Sequence, residues 1–289
     1  MNLIDNTMTR ELIREMQLNE LYLLKEFSKF CKKYEIPFTL DFGSILGAVR
    51  HEGFIPWDDD IDIAILRWDY NKFLKLAKNW NHQDIFVQNF ETDEYFVHSF
   101  TRLRLNKSLA LQDEWSHLDV HHGIFIDIFP YDAIPNNEVE MIQHEKEIFE
   151  IQKAKLKRVK LLKEKNLIKW KSAKDDHDLC MRSLRELNEM QTEVMSRFNY
   201  DVERNDLVSH MTQGFESYFE NRRTVNDILD SKDMIFENLL MPIPNNYEGF
   251  LNNTYGDYLV LPPQTERFPH HGLIEVIINK EINCKYFKY

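Results

Sequence analysis

The sequence predicts a mixed α/β fold with a helical insertion, and three observations support this class. Short strand-like runs alternate with amphipathic helical segments over residues 1–137, and a charged stretch nearly free of Gly and Pro begins at residue 138. From residue 234 the pattern is mixed again, with prolines marking loops. We therefore divide the chain into a core at 1–137, a helical insertion at 138–233 and a C-terminal part at 234–289 that completes the core.

The first predicted element is a helix over residues 9–34, where apolar residues recur at helical spacing. Thr9 is its expected N-cap, and Pro37 stands just past its end. A short strand from Pro37 to Asp41 follows, and then a turn and a short helix over residues 42–50.

The next elements are predicted from their periodicity. In residues 60–66 acids alternate with Ile, Ala and Leu, which predicts a strand. Residues 124–129 are apolar except for Asp127, a pattern typical of a strand buried on both faces. The remaining predicted elements are helical at 69–80 and 138–199 and strand-like at 85–88 and 96–105.

Composition excludes several classes of protein. The 289 residues include 36 Lys and Arg against 48 Asp and Glu, for a net charge of −12, and 43% are hydrophobic. The chain is therefore globular, and we expect no nucleic acid among its partners, because that binding depends on neutralising phosphates. No apolar run approaches the roughly 20 residues of a membrane span, and we recognise no signal peptide. The three cysteines fit no metal spacing and cannot all form disulfides. We therefore interpret them as ordinary thiols in a reducing compartment and expect a cytoplasmic protein.

Residues 153–174 form a basic arm, with ten Lys and Arg and a single acid in an otherwise acidic chain. One hypothesis is that this arm makes peripheral contact with the inner, anionic face of a membrane. The apolar anchors would be Leu156, Val159, Leu162 and Trp170. The alternative is a solvated helix face that packs against the acidic core.

The sharpest signal for chemistry is the acidic run that contains Asp58, Asp60 and Asp62. On a strand, Asp60 and Asp62 point to the same side about 6.6 Å apart along the backbone, so their carboxylates can converge on one divalent cation or a close pair. Oxygen ligands favour Mg²⁺ or Mn²⁺ over zinc. A solvated acidic turn is the alternative. A calcium loop is excluded, because Ile63 would stand where that loop needs Gly.

Asp127 is the second signal, because a lone carboxylate in an apolar strand is costly unless it is paired, hydrogen-bonded or bound to metal. Beside Asp60 and Asp62 it would supply a third ligand and a base for a substrate hydroxyl. The alternative is a carboxylate satisfied by an arginine or by backbone amides.

Several other residues are candidates for contact with phosphate. Gly43 and Ser44 follow a strand and open a helix, where free backbone N–H groups attract anions. The basic candidates are Arg50, His51, Arg102, Arg104, Arg267, His270 and His271. For the Arg102–Arg104 pair the alternative is pairing with acidic groups, and for the two adjacent histidines it is an ordinary surface loop.

Three blocks of the sequence resemble one known family. Residues 40–63, LDFGSILGAVRHEGFIPWDDDIDI, closely resemble the signature of the LicD family of phosphotransferases, and 123–130, GIFIDIFP, resembles its second block. Residues 255–258, with Pro262, Pro263 and Arg267, are similar to its third block. The resemblance covers about 10–135 and 234–275.

The resemblance implies a nucleotidyltransferase-like core sheet flanked by helices. Gly43–Ser44 would then be the phosphate-binding turn. Asp60 and Asp62 would be the metal pair, with Asp127 as the third carboxylate and Asp58 as an alternative or additional ligand. The implied reaction moves phosphocholine from CDP-choline to a hydroxyl of a cell-surface glycan, such as lipopolysaccharide or teichoic acid, and releases CMP with the help of Mg²⁺ or Mn²⁺.

Choline would need an aromatic cage, since its cation binds best over aromatic faces. The candidates are Trp57, Trp115, Tyr131, Tyr258 and Phe268. Two other functions stay open. One is transfer of ribitol or glycerol phosphate from another CDP-linked donor, and the other is glycan binding without catalysis on the same fold.

Overall fold

The computed structural model describes residues 9–164, 179–200, 202–203, 206–212 and 222–287. The strands in these residues are β1 (Thr39–Leu40), β2 (Asp62–Leu66), β3 (Ile85–Gln88), β4 (Thr101–Leu105), β5 (Leu109–Gln112), β6 (Phe125–Ala133), β7 (Leu207–Ser209), β8 (Arg223–Thr224), β9 (Ser231–Phe236), β10 (Leu239–Pro244) and β11 (Leu273–Ile277). The α-helices are α1 (Arg10–Tyr34), α2 (Phe42–His51), α3 (Arg67–Ala77), α4 (Glu138–Lys163), α5 (Leu184–Met195), α6 (Val225–Leu229), α7 (Tyr247–Tyr255) and α8 (Lys280–Tyr286).

A mixed central sheet organises the molecule. Its strands lie in the order β1-β2-β6-β4-β3, with β7 paired to β6 and β8 paired to β7. Only β2 and β6 run parallel, and their register sets Asp62 beside Asp127. Strands β9 and β10 form a separate hairpin, and β5 pairs with β11 from the C-terminal part. The mixed α/β class with flanking helices is confirmed.

Helix α1 is the longest helix of the predicted core, and it follows the predicted periodicity closely. The Thr9 hydroxyl accepts a hydrogen bond from the Leu12 amide, which confirms the predicted N-cap. The apolar stripe of α1, including Met16, Leu24 and Phe27, is buried in the largest hydrophobic cluster. This burial fixes α1 against the core.

The predicted strand with apolar residues on both faces is confirmed as β6, in which every residue is buried. The strand predicted at 60–66 begins instead at Asp62, so Asp60 lies in the preceding segment. The strand predicted at 96–105 is confirmed only from Thr101 onward.

Residues 138–233 contain more than the predicted helices. Helices α4 and α5 pack together, as expected for an insertion, but β7 pairs with the end of β6 and so extends the central sheet. Strands β7 and β8 have only three and two residues, too few for the alternation of a strand to be visible in the sequence. Residues 165–178 lie outside the described part of the chain, and the division into three parts stays a prediction.

The basic arm is described only as far as residue 164. Within that part Val159 is buried and Leu162 packs against the same cluster, so neither side chain is free to anchor the chain in a membrane. Lys155 is fully buried and donates hydrogen bonds to Ser99, Asn188 and Gln191. The predicted anchor Trp170 lies outside the described residues. Across those residues, we find no helix with the length and apolar character that crossing a bilayer requires.

Candidate active site

Six carboxylates converge beside the start of β2, and we call them the acid cluster: Glu20, Asp58, Asp59, Asp60, Asp62 and Asp127. They come from α1, from the segment that precedes β2, from β2 itself and from β6. The parallel pairing of β2 with β6 brings Asp127 beside Asp62. The sequence-based expectation that these aspartates converge is therefore met, although Asp60 lies outside the strand.

Asp59 is buried at the base of the site and holds the C-terminal loop in place. Its carboxylate accepts hydrogen bonds from the backbone amides of His270 and His271, at 3.1 and 3.2 Å, and from the His271 ring Nδ1 at 3.1 Å. Burial raises the pKa of Asp59, but the His271 hydrogen bond and charge and the two amides outweigh burial, and the net pKa lies below its usual range.

His271 supplies positive charge to the acid cluster. Its Nε2 lies 3.6 Å from Asp60 Oδ2, while its Nδ1 faces Asp59. Burial favours the neutral ring, yet the Asp60 charge and the Asp59 hydrogen bond raise the pKa of His271 to about 9. With no cation bound, the ring therefore carries a proton at neutral pH and forms an ion pair with both aspartates.

Asp58, Asp60 and Asp62 remain poorly compensated. Burial is the largest cause that raises the pKa of each, and the neighbouring aspartates raise it further. Asp60 and Asp62 also share a side-chain hydrogen bond. Each of the three is half-buried rather than fully enclosed, so an incoming ligand can reach it.

The donor set fits a divalent cation. One atom each from Asp59, Asp60 and His271 lies within 4.8 Å of the other two, and further carboxylate oxygens surround them. Glu20 Oε2 is buried and has no hydrogen-bond partner among the described residues. Carboxylate-rich sets of this kind suit Mg²⁺ or Mn²⁺, and a cation would relieve repulsion that His271 alone does not balance.

The Gly43–Ser44 turn supports the aspartates directly. The Ser44 hydroxyl accepts a hydrogen bond from the Asp62 amide at 2.9 Å. A Cβ at Gly43 would lie 2.9 Å from Asp58 Oδ2, so the absence of a side chain lets that carboxylate approach the helix. The predicted role of this turn in phosphate binding stays a prediction.

Asp127 is fully hydrogen-bonded in the structure. Arg102 donates to its two oxygens at 2.7 and 3.1 Å, and Arg102 also donates to Gln112. This is the arrangement that the sequence analysis named as the alternative, and it suits a ligand or a structural group better than a base. Arg104 is buried as well, bonded to Gln88 and to the Gly123 carbonyl. Neither arginine is positioned at the surface to meet a phosphate.

Arg50 and Arg267 lie close together, and we call them the arginine pair. Arg50 donates to the backbone carbonyl of Tyr258 at 2.7 Å, and Arg267 lies over the Trp57 ring at 5.4 Å. His51 makes an edge contact with the Trp57 ring. Burial, and then the charge of Arg267, lower the pKa of Arg50. The structure thus groups five predicted substrate-binding residues.

Two of the other aromatic candidates for a choline cage are engaged in other contacts. Tyr131 is buried and donates to Asp41 at 2.7 Å. Trp115 packs against His98. Phe268 contacts His270 near the acid cluster, so Trp57, Tyr258 and Phe268 are the candidates at the site.

Sequence reasoning missed two parts of the site. Asp41 caps α2 and pairs with the buried guanidinium of Arg223, which comes from the distant strand β8. Glu20 was not singled out, although it occupies a buried position between Met16 and Leu24 on the apolar stripe of α1. A lone acid at a position where the helical period requires an apolar residue is the signal that would have identified it.

The chain is similar in sequence to known proteins. Residues 35–162 match the family described as LicD/FKTN/FKRP, nucleotidyltransferase domain. The chain is 28% identical over 277 residues to the lipopolysaccharide cholinephosphotransferase LicD of Haemophilus influenzae, covering 90% of this chain and 96% of that protein. A shorter match, 36% identical over 93 residues, is to an uncharacterized protein of Rickettsia typhi and covers 29% of this chain and 30% of that protein. Residues 35–162 are therefore a nucleotidyltransferase domain of the LicD/FKTN/FKRP type, in a chain that is similar to the LicD transferase over most of its length.

Proposed function

We propose that this chain transfers phosphocholine from CDP-choline to a hydroxyl of a cell-surface glycan or its precursor, and releases CMP. The observation that carries the proposal is the acid cluster, which holds more carboxylates than nearby cations. The arginine pair is linked to it through Trp57, which lies under Arg267 and directly precedes Asp58. Such a site can hold a divalent cation and a diphosphate side by side. The similarity to a cholinephosphotransferase over most of both chains supports phosphocholine as the group transferred.

In the proposed reaction the oxygen of the acceptor hydroxyl forms a bond to the phosphorus that bears choline, the bond from that phosphorus to the CMP oxygen breaks, and the hydroxyl proton is released to solvent. A bound Mg²⁺ or Mn²⁺ would neutralise charge on the diphosphate. Asp60 and Asp62 would hold the cation, with Asp58 as a further ligand, while Ser44 fixes the backbone at Asp62. Catalysis then consists mainly of positioning and electrostatic stabilisation.

The arginine pair has a separate role in this proposal. The Arg50 and Arg267 guanidiniums would face the diphosphate oxygens. The negative charge of the diphosphate would relieve the repulsion between the two guanidiniums, which after burial is the second cause that lowers the pKa of Arg50. Trp57, Tyr258 and Phe268 would offer aromatic faces to the choline cation. Asp59 would keep the loop with His270 and His271 closed over this region.

The test uses the purified chain with CDP-choline, CDP-ribitol and CDP-glycerol, each with Mg²⁺ and with EDTA. We expect CDP-choline to raise the melting temperature only when Mg²⁺ is present, and Asp62→Asn to reduce CMP release at least about a hundredfold while the fold is retained. Asp233→Asn, at an exposed position on β9, is the matched control and should leave the rate unchanged.

The other outcomes select the alternatives. If CDP-ribitol or CDP-glycerol raises the melting temperature instead of CDP-choline, that compound is the donor and the proposed phosphotransfer chemistry is unchanged. Glycan binding without any metal-dependent binding of a CDP-linked compound would favour the non-catalytic function. Undiminished CMP release by folded Asp62→Asn would show that the metal assignment is wrong.

A further inference from the structure

Glu20 stands apart from the rest of the acid cluster because it comes from α1, outside the matched residues 35–162. Its side chain is buried in the middle of the helix, with an exposed fraction of 1%. Its Oε2 has no hydrogen-bond donor among the residues that the structure describes. The groups that act on it most strongly are all negative: Asp60, Asp59, Asp58 and Asp127.

The position of Glu20 is fixed by its neighbours on α1. One turn earlier, Gln17 donates hydrogen bonds to the backbone carbonyls of Ile55 and Asp58, at 3.2 and 3.0 Å. Residues three apart on a helix share a face, so the bonds that tie Gln17 to the acidic run also direct Glu20 toward it. On the following turn Leu24 is buried in the core, which prevents the helix from turning Glu20 outward.

A buried carboxylate among other carboxylates needs a cation or a donor that the described residues do not provide. His271 is already bonded to Asp59, and Arg102 is bonded to Asp127. An unpaired buried acid is strongly destabilising, whereas the same oxygen is a good ligand for a hard divalent cation. The missing partner of Glu20 Oε2 is therefore best supplied from solution.

We propose that Glu20 Oε2 is a ligand of the divalent cation bound by the acid cluster, so that α1 takes part in the metal site. This inference rests on the metal-dependent transfer proposed above. It implies that metal binding also clamps α1 onto the segment before β2, since one ion would join Glu20 to Asp60.

The experiment measures Mn²⁺ affinity by calorimetry on the full chain after EDTA treatment, with no nucleotide present. Glu20→Gln removes the charged ligand with little change in size, and we expect the dissociation constant to rise at least about tenfold. Its metal-free melting temperature should not fall, because the substitution removes a buried charge from a cluster of like charges. Glu15→Gln on the same helix is the matched control and should bind Mn²⁺ like the unmodified chain.

Glu20→Asp separates ligation from a general effect of charge. It keeps the charge but draws the oxygen back by about one bond length, roughly 1.5 Å. A ligand role predicts weakened Mn²⁺ binding for this variant too, and an unchanged affinity would overturn the proposal. Circular dichroism verifies the fold of each variant, and Glu20→Asp supplies the test if Glu20→Gln does not fold.

The outcomes keep this inference distinct from the proposed function. Wild-type affinity in both Glu20 variants, in a chain that binds Mn²⁺, would overturn the role of Glu20 and leave the proposed transfer intact. Weakened binding in both variants supports Glu20 as a ligand whichever CDP-linked donor is used. A wild-type chain that binds no Mn²⁺ would overturn both.

Discussion

His271 donates two hydrogen bonds to Asp59, one from its backbone amide and one from its ring, although 212 positions separate the two residues. The same ring lies 3.6 Å from Asp60. The loop that precedes β11 is thus bonded to Asp59, and its His271 ring also supplies positive charge to the acid cluster. This one contact therefore compensates part of the charge of the acid cluster before any cation binds.

The first prediction concerns His271. Replacing it with Gln removes the positive charge between Asp59 and Asp60, and we expect the free energy of unfolding to fall by about 2 kcal/mol in EDTA. Excess Mg²⁺ should restore part of this loss. His270→Gln is the control, since only the backbone amide of His270 bonds to Asp59. Urea denaturation measures the free energy of unfolding of both variants. Equal losses in His271→Gln and His270→Gln would contradict the role of the His271 ring.

The second prediction compares two glycines of α2. Gly43→Ala places a Cβ 2.9 Å from Asp58 Oδ2, so we expect weaker Mn²⁺ binding and roughly tenfold slower CMP release with little change in stability. Gly47→Ala places a Cβ 2.4 Å from the Gly53 carbonyl oxygen, a backbone atom that cannot move alone. There we expect a loss of about 2 kcal/mol in unfolding free energy. Full activity in Gly43→Ala would show that the position of Asp58 does not matter.

The third prediction concerns pH. Burial, helped by Arg223 and opposed by Asp41, lowers the pKa of His210 to about 4, whereas the unfolded chain has a histidine pKa of about 6.5. Between these values only the unfolded state takes up the proton, so stability falls as the pH falls from about 6.5 to about 4. At pH 5 the loss attributable to His210 is about 2 kcal/mol.

His210→Phe tests this, since Phe42, Phe129 and Tyr131 already surround the ring. The variant should lose less stability than the unmodified chain between pH 7 and pH 5, measured by urea denaturation at each pH. His270→Gln, at an exposed ring, serves as the control. Parallel pH profiles for His210→Phe and the unmodified chain would exclude His210 as the cause.

The fourth prediction concerns the buried pair of Asp41 and Arg223. Arg223→Met leaves the fully buried Asp41 carboxylate without its cation, and we expect a loss of about 3–5 kcal/mol in the free energy of unfolding. Lys153→Met removes an exposed ion pair with Glu150 and should cost less than about 0.5 kcal/mol. A small effect of Arg223→Met would mean that this connection between β8 and α2 contributes little to folding.

Local patterns were enough to predict the elements that carry the aspartates. The alternation of acids with aliphatic residues identifies β2, and the apolar run around Asp127 identifies β6. The parallel pairing of these two strands then accounts for the convergence of Asp62 and Asp127. These two patterns are sufficient here because both strands are long enough to show them.

Contacts between distant segments could not be predicted in the same way. Nothing local in the sequence shows that Arg102 would bond both oxygens of Asp127, or that Lys155 of the basic arm would be buried among neutral partners. Strands β7 and β8 have three and two residues, too few for a period of two to show. Each of these features depends on tertiary packing.

The acid cluster has a consequence for protein synthesis, because its members and their counter-ion span the chain from Glu20 to His271. While the ribosome is still adding the last residues, Asp59 has no His271 to bond, and the repulsion among Asp58, Asp59 and Asp60 is not reduced by the charge of that ring. The nascent chain therefore gains its working site only when residue 271 has emerged and its loop has reached Asp59. The compensation of Asp59 and Asp60 by His271 thus requires a chain translated at least to that loop.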